Sequence, residues 1–192
     1  MVHSRRSSPV AQPDARPALS GTEVTSFLQP LLVDLIVLVL HAKQAEWHLH
    51  GRHLPAIRGP LRRLVTDVRL RSDDVALRMV MLGGYVDVRP ATVATTTGLP
   101  DLVPGFVGED KTLDALVGQI DAAVARARNA VWALGPIDQV SRAVVRDVLR
   151  DLERSRWELT AQVPSEGHVR LDHEGPAARE RPSRHDHEAG TA

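Results

Sequence analysis

The 192-residue sequence contains no cysteine, which excludes disulfide bonds, thiolate metal sites and cysteine nucleophiles. Its formal net charge at pH 7 is zero, so no overall electrostatic attraction favours nucleic acid. Any such binding has to come from a local patch or a tail. A Gly-rich phosphate loop and the GxSxG and HExxH motifs are missing too, and no nucleophile-and-base site is indicated.

Long apolar runs are also missing. The first residues have no apolar segment after their arginines, which argues against a secretory signal. The longest run, around Leu35 to Leu40, is bounded by Asp34 and His41 and is interpreted as too short to cross a bilayer. With 43% apolar residues, the chain is predicted to form one domain with one core. We expect a cytoplasmic protein with no membrane partner.

Both ends of the chain lack a periodic apolar pattern and are predicted to be disordered: an arm at residues 1–21 and a His-rich, acidic tail at residues 164–192. In residues 1–20, Arg5, Arg6 and Arg16 outnumber the single acidic residue, Asp14. The arm is therefore either a solubilising tail or a non-specific DNA contact. The C-terminal histidines could bind divalent metal weakly, although a flexible tail loses chain entropy when it closes around an ion.

Residues 22–163 show apolar residues at three- and four-residue steps, which predicts amphipathic helices. The predicted helices run from Thr22 to Gly51, from Pro60 to Leu82, from Asp110 to Gly135 and from Asp138 to Gln162. The connection from Tyr85 to Glu109 is too long for a tight turn and has room for a short helix. This pattern predicts an all-α, ferritin-like four-helix bundle with a long crossover between the second and third helices.

Several local sequences resemble the Dps family, the DNA-binding proteins from starved cells. The segment KQAEWHLHG, from Lys43 to Gly51, resembles the family's KxxHWNVxG stretch, and the Leu-Gly-Gly at residues 82–84 follows at the family's distance. Arg-Asp-Leu-Glu at residues 150–153, with Trp157 after it, resembles the family's final helix. Trp47 and Trp157 are expected to be packing residues. The resemblance, over about residues 23–163, implies a twelve-subunit shell that oxidises ferrous iron with peroxide, stores the mineral and often shields DNA, which also suggests association with the nucleoid.

The resemblance further implies where a ferroxidase centre would lie. In the family the centre sits between two subunits, with His, His and Asp from one and Asp and Glu from its two-fold mate. At these positions the sequence has, in the same order, Glu46, Arg58, Arg62, Asp73 and Leu77. An iron site needs converging oxygen and imidazole donors, whereas arginine offers only N–H donors and stays protonated. The centre is thus predicted to be largely lost, with Glu46 and Asp73 as the remaining candidate metal ligands.

The substituted positions leave two interpretations. Arg58 could pair with Glu46 of its own subunit and Arg62 with Asp73 of the mate, or both arginines could extend into solvent. A similar choice concerns the histidines near the first corner, which form either a solvated helix end or an unusual metal site: His41, His48, His50 and His53.

Two functional hypotheses follow. In the first, the chain is a shell subunit, in a homo-oligomer or mixed with an active relative, associated with iron handling and DNA protection but with an inactive centre. In the second, it is an enzyme that oxidises metal through Glu46, Asp73 and nearby histidines. Arg58, Arg62 and Leu77 favour the first hypothesis, because none of them can ligate iron.

Overall fold

The computed structural model describes residues 21–51, 53–106 and 108–161, and in these segments the protein is helical with no strand. The predicted disordered arm and tail therefore lie outside the described residues, apart from Gly21. The described residues form five helices: α1 Gly21–His48, α2 Leu54–Met81, α3 Pro90–Thr96, α4 Glu109–Leu134 and α5 Gln139–Thr160. The four long helices form a bundle in which α1 and α5 each pack against both α2 and α4, and short α3 lies in the crossover against α1. The predicted four-helix architecture and its crossover helix are confirmed.

The core forms where the apolar stripes of the four long helices meet. Its largest fully buried side chains all come from α1, α2 and α4: Leu28, Leu31, Leu32, Leu35, Leu38, Ile57, Leu61, Leu64, Met79, Leu113, Leu116 and Ile120. Because each such side chain contributes about 1.5–3 kcal/mol when fully buried, this core dominates the stability of the bundle.

Helix α2 begins six residues earlier than predicted. The prediction placed its start at Pro60, but Pro55 occupies the first turn, where a missing N–H costs nothing, and Pro60 lies inside the helix. Gly59 has no Cβ to clash with the following proline ring, which eases this position. Ile57 is 1% exposed, so the earlier turn extends the buried stripe. Helix α1 ends at His48, three residues before the predicted Gly51.

The two tryptophans expected to pack do not do so in the single chain. Trp47 is 72% exposed and Trp157 is 68% exposed. On α5, Trp157 stands midway between buried Ser155 and buried Leu159, so it points away from the core. The prediction is therefore wrong for the single chain. Helix α5 turns Ser155 and Leu159 toward the core, so Trp157 between them faces outward.

The crossover is attached to the bundle through buried polar groups. Asp34 of α1, 1% exposed, accepts hydrogen bonds from Thr97 Oγ1 (3.1 Å) and Gly98 N (2.8 Å), and it is ion-paired with Arg126 of α4. Gln29 forms two hydrogen bonds with the backbone of Asp87, at 2.7 and 3.2 Å. These contacts fix the long connection against α1.

Helix α1 is long and apolar enough to cross a membrane by length and composition, contrary to the interpretation from its interrupted apolar run. Its most apolar window has a mean hydropathy of 1.9, and half of that window is buried inside the bundle. The buried ion pair of Asp34 lies on the same helix. A core helix of a four-helix bundle has the same composition, because it is surrounded by apolar neighbours on most sides.

Candidate metal centre and its ion pairs

The five family ligand positions lie on two helices. Glu46 is in the last turn of α1, and Arg58, Arg62, Asp73 and Leu77 lie along α2. The two helices run antiparallel, since Gly21 and Thr25 at the start of α1 contact Leu82 and Gly84 beyond the end of α2. Glu46 therefore faces the N-terminal part of α2.

Glu46 is held between two cations. Arg62 Nε donates to Glu46 Oε1 at 2.6 Å, and Lys43 Nζ donates to Glu46 Oε2 at 2.6 Å. The Glu46 side chain is only 9% exposed, while those of Arg62 and Lys43 are 64% and 37% exposed. Hydrogen bonding from Lys43, and then from Arg62, lowers the pKa of Glu46 below its usual value of 4.5. Both carboxylate oxygens are thus engaged by positive groups.

The partner of Glu46 differs from the prediction. Arg58 was expected to pair with Glu46 in its own subunit, but Arg62, one turn further along α2, occupies that place. Arg58 is exposed and forms no hydrogen bond or ion pair with any residue in the described part of the chain. The reason is the register of the two antiparallel helices, which brings the third turn of α2 level with Glu46.

Asp73 and Leu77 lie away from Glu46. Asp73 follows Arg62 by three helical turns, about 16 Å along the axis at the usual rise. Its side chain is exposed and has no hydrogen bond or ion pair with residues 21–51, 53–106 or 108–161. Leu77 is 55% exposed one turn beyond it. A single chain does not bring the two remaining carboxylates, Glu46 and Asp73, together.

The described residues contain no group of three or more His, Asp or Glu side chains placed to hold a metal ion. An iron centre needs several such donors around one cation. At the position of Glu46, an entering Fe²⁺ would meet the guanidinium of Arg62 and the ammonium of Lys43 instead. In the single chain, the described residues around Glu46 do not fit an iron site.

The histidines near the first corner contact different parts of the protein. His41 Nδ1 lies 2.8 Å from Gln119 Nε2, His48 packs on Phe106 with ring centroids 4.9 Å apart, and His53 Nδ1 lies 3.4 Å from Glu109 Oε2. The fourth, His50, has its Nδ1 3.0 Å from the carbonyl oxygen of His48. His48 and His50 both lie against Phe106, but no three of the described ligating side chains are placed to hold a metal ion, so the metal interpretation of this group gains no support.

Sequence reasoning missed Lys43 as a partner of Glu46. The signal was available, because residues three apart on a helix are neighbours and a lysine precedes this glutamate by three. The proposed nucleic-acid contacts, Arg5, Arg6 and Arg16, lie outside the described residues.

Comparison with known proteins places this chain in a family. Residues 26–165 match the ferritin-like domain family. The chain is 25% identical over 134 residues to DNA protection during starvation protein 2 of Deinococcus radiodurans, an alignment that covers 70% of this chain and 56% of that protein. It therefore spans little more than half the length of that relative. It is 28% identical over 151 residues to DNA protection during starvation protein of Agrobacterium fabrum, covering 77% of this chain and 91% of that protein.

Solved structures extend the comparison. Dps from Microbacterium arborescens in its high iron form matches with a TM-score of 0.71 and 32% identity, over 77% of this chain and 95% of that one. Dps from Mycobacterium smegmatis matches with a TM-score of 0.72 over 77% of this chain and 91% of that one, but at 23% identity that similarity shows the fold alone. The family match over most of the chain and the similarity to the M. arborescens protein agree with the bundle, the crossover and the Lys43–Gly51 sequence: the chain belongs to the Dps family of ferritin-like proteins.

Proposed function

We propose that this chain is a Dps-type shell subunit which contributes to iron handling and DNA protection, and that its own ferroxidase centre neither binds nor oxidises iron. The names of its relatives, which are DNA protection during starvation proteins, support the first part. The observation that carries the second part is the pairing of Glu46 with both Lys43 and Arg62 at 2.6 Å.

The positive charges around Glu46 oppose the binding of a metal ion. Both oxygens of Glu46 already accept charge-assisted hydrogen bonds, so a metal ion could use only their remaining lone pairs, next to two cations. Arg58 adds a further positive charge one turn away on α2, and neither arginine has an acceptor. An Fe²⁺ ion bound here would lie beside the ammonium of Lys43 and the guanidinium of Arg62, and these like charges oppose its binding. Loss of the site is the expected consequence.

The proposed role also includes assembly into a shell and contact with DNA. The subunit forms a homo-oligomeric shell, twelve-membered by analogy with the family, or joins an active relative in a mixed shell. Iron would then be cargo that enters the shell without oxidation at this subunit. The N-terminal arm, through Arg5, Arg6 and Arg16, contacts DNA without sequence preference, because phosphate charge is its only target. The protein then works in the cytoplasm, at the nucleoid.

An anaerobic Fe²⁺ titration tests the proposal, with the mass of the same preparation measured by sedimentation. We expect no saturable Fe²⁺ binding and no fast oxidation on adding peroxide, while Dps from M. arborescens, run in parallel, serves as the positive control. Saturable binding that disappears in Asp73→Ala, but persists in a matched Asp114→Ala variant on α4, would overturn the proposal. That result would support the enzyme that uses Glu46, Asp73 and nearby histidines.

A further inference from the structure

One exposed stripe on α2 combines opposite charges with apolar side chains. Arg62, Thr66, Leu70, Asp73 and Leu77 follow one another at steps of three or four residues, and all five are exposed in the single chain. Leu70 and Leu77 are each 55% exposed. We call these five residues the α2 outer stripe. A soluble surface that repeats large apolar residues at helical spacing is typical of a contact between proteins.

The neighbouring surface of α1 extends this apolar area. Leu40 and Trp47, two turns apart on α1, are 59% and 72% exposed. Lys43 lies between them and contacts Glu46, which in turn contacts Arg62 of the α2 outer stripe. The ion pairs of Glu46 therefore connect Lys43, which lies beside the exposed ring of Trp47, to the α2 outer stripe.

The charges of the stripe are arranged symmetrically along the helix. Arg62 is the ninth residue of α2, and Asp73 is the ninth from its end. A second copy packed antiparallel, with the midpoints of the two α2 helices together, brings Arg62 of each chain beside Asp73 of the other. Thr66 and Leu70 then lie near the centre of the contact. The stripe is thus complementary to itself in charge, as a two-fold interface requires.

Arg62 has the donors needed for a second partner. Its Nε is used by Glu46, while its terminal nitrogens form no hydrogen bond with any described residue, and the side chain is 64% exposed. A guanidinium carries five N–H donors in a fixed fork and can bind two carboxylates at once. Asp73, for its part, is a carboxylate with no partner in the described part of its own chain, and it has Leu77 one turn away. Burying it against apolar surface requires a cation.

We infer that Arg62 bridges Glu46 of its own chain and Asp73 of a second copy, so that a three-residue ionic contact between subunits occupies the place of the lost iron site. This inference rests on the proposed function, because it assumes that Glu46 and Asp73 no longer hold metal. The contact favours one register of the two copies. A shift of four residues in one direction would place Asp73 opposite Thr66 and leave it without a cation. A shift in the other direction would pair Asp73 with Arg58 but bring Arg62 beside Arg69.

The test is a double-mutant cycle on subunit dissociation, measured in metal-free buffer by sedimentation with fluorescence detection. Asp73→Asn is the first variant, because Asp73 is exposed and has no hydrogen bond or ion pair with any described residue of its own chain, so we expect the subunit fold to be unchanged. We expect Asp73→Asn to raise the dissociation Kd about tenfold, and the effect to shrink in high salt. Combined with Arg62→Ala, it should cost less than the sum of the single effects.

Arg69→Ala supplies the matched control. Arg69 is exposed and lies one turn before Asp73 on α2, yet it has no ion pair with any described residue. We expect the effects of Arg69→Ala and Asp73→Asn on Kd to be additive. The inference is overturned if Asp73→Asn leaves Kd unchanged, if its effect is additive with that of Arg62→Ala, or if Arg69 is the residue that couples. Because no iron is present, such a failure is separate from the result of the Fe²⁺ titration.

Discussion

Arg62 of α2 and Glu46 of α1 meet across the first corner of the bundle, with Nε and Oε1 2.6 Å apart. In the family resemblance, both positions correspond to metal ligands. In this structure the residues at these two positions form an ion pair with each other, and Lys43 binds the second carboxylate oxygen of Glu46. The positive charges of Arg62 and Lys43 therefore oppose the binding of a metal cation at Glu46 in this structure.

The first prediction concerns restoration of the metal site. Glu46→His, Arg58→His, Arg62→Asp and Leu77→Glu, introduced together with Asp73 kept, should produce saturable Fe²⁺ binding in anaerobic titration. The changes remove two like charges and supply imidazole and carboxylate donors. The matched control carries the same changes with Asp73→Ala and should bind weakly or not at all. Equal binding by both variants would show that the iron lies elsewhere.

The second prediction concerns acid stability. Because its ion pairs lower the pKa of Glu46, this residue stabilises the folded state above its unfolded pKa, and the contribution disappears as pH falls through the lower folded pKa. Glu46→Gln should therefore reduce the free energy of unfolding at pH 7, and the difference from wild type should shrink below about pH 4.5. Urea unfolding followed by circular dichroism at pH 7 and pH 3.5 measures it. Glu23→Gln, which removes a carboxylate with no ion pair to a described residue, is the control. A difference that is unchanged at pH 3.5 would contradict the assignment.

The third prediction concerns the buried ion pair beneath the crossover. Asp34→Ala should destabilise the chain by about 3–5 kcal/mol, since it leaves the guanidinium of Arg126 half-buried and removes the acceptor for Thr97 and Gly98. Asp114→Ala on the exposed face of α4 should change the free energy of unfolding by less than about 0.5 kcal/mol. Equal effects in urea unfolding would show that Asp34 does not anchor the crossover.

The fourth prediction concerns DNA. The assembled protein should retard DNA in gels without sequence preference, and retardation should weaken steeply with salt, because only phosphate contacts contribute. Several arms displayed on one particle raise the effective concentration, so that isolated subunits should bind far more weakly. Deleting residues 1–20, or changing Arg5, Arg6 and Arg16 to Ala, should abolish the effect. Retardation that survives both the deletion and high salt would exclude the arm as the contact.

The local pattern of the sequence was enough to predict most of the architecture. Apolar residues at three- and four-residue steps identify the four long helices, because helical periodicity is a property of neighbouring residues. The break at Gly135-Pro136 and the cap at Asp138, whose side chain accepts from the Val140 amide, are equally local. Composition and spacing likewise predicted the crossover and its short helix.

Tertiary structure alone decided which residues meet. The start of α2 depended on burying Ile57, and the partner of Glu46 depended on the register of α1 against α2, where one helical turn, about 5.4 Å, separates Arg58 from Arg62. Trp47 and Trp157 are exposed because α1 and α5 turn other side chains toward the core. The sequence placed arginines where the family resemblance implies metal ligands. Which arginine neutralises Glu46 was set by how two helices pack, because side chains far apart in sequence become neighbours only when the core fixes the helices against each other.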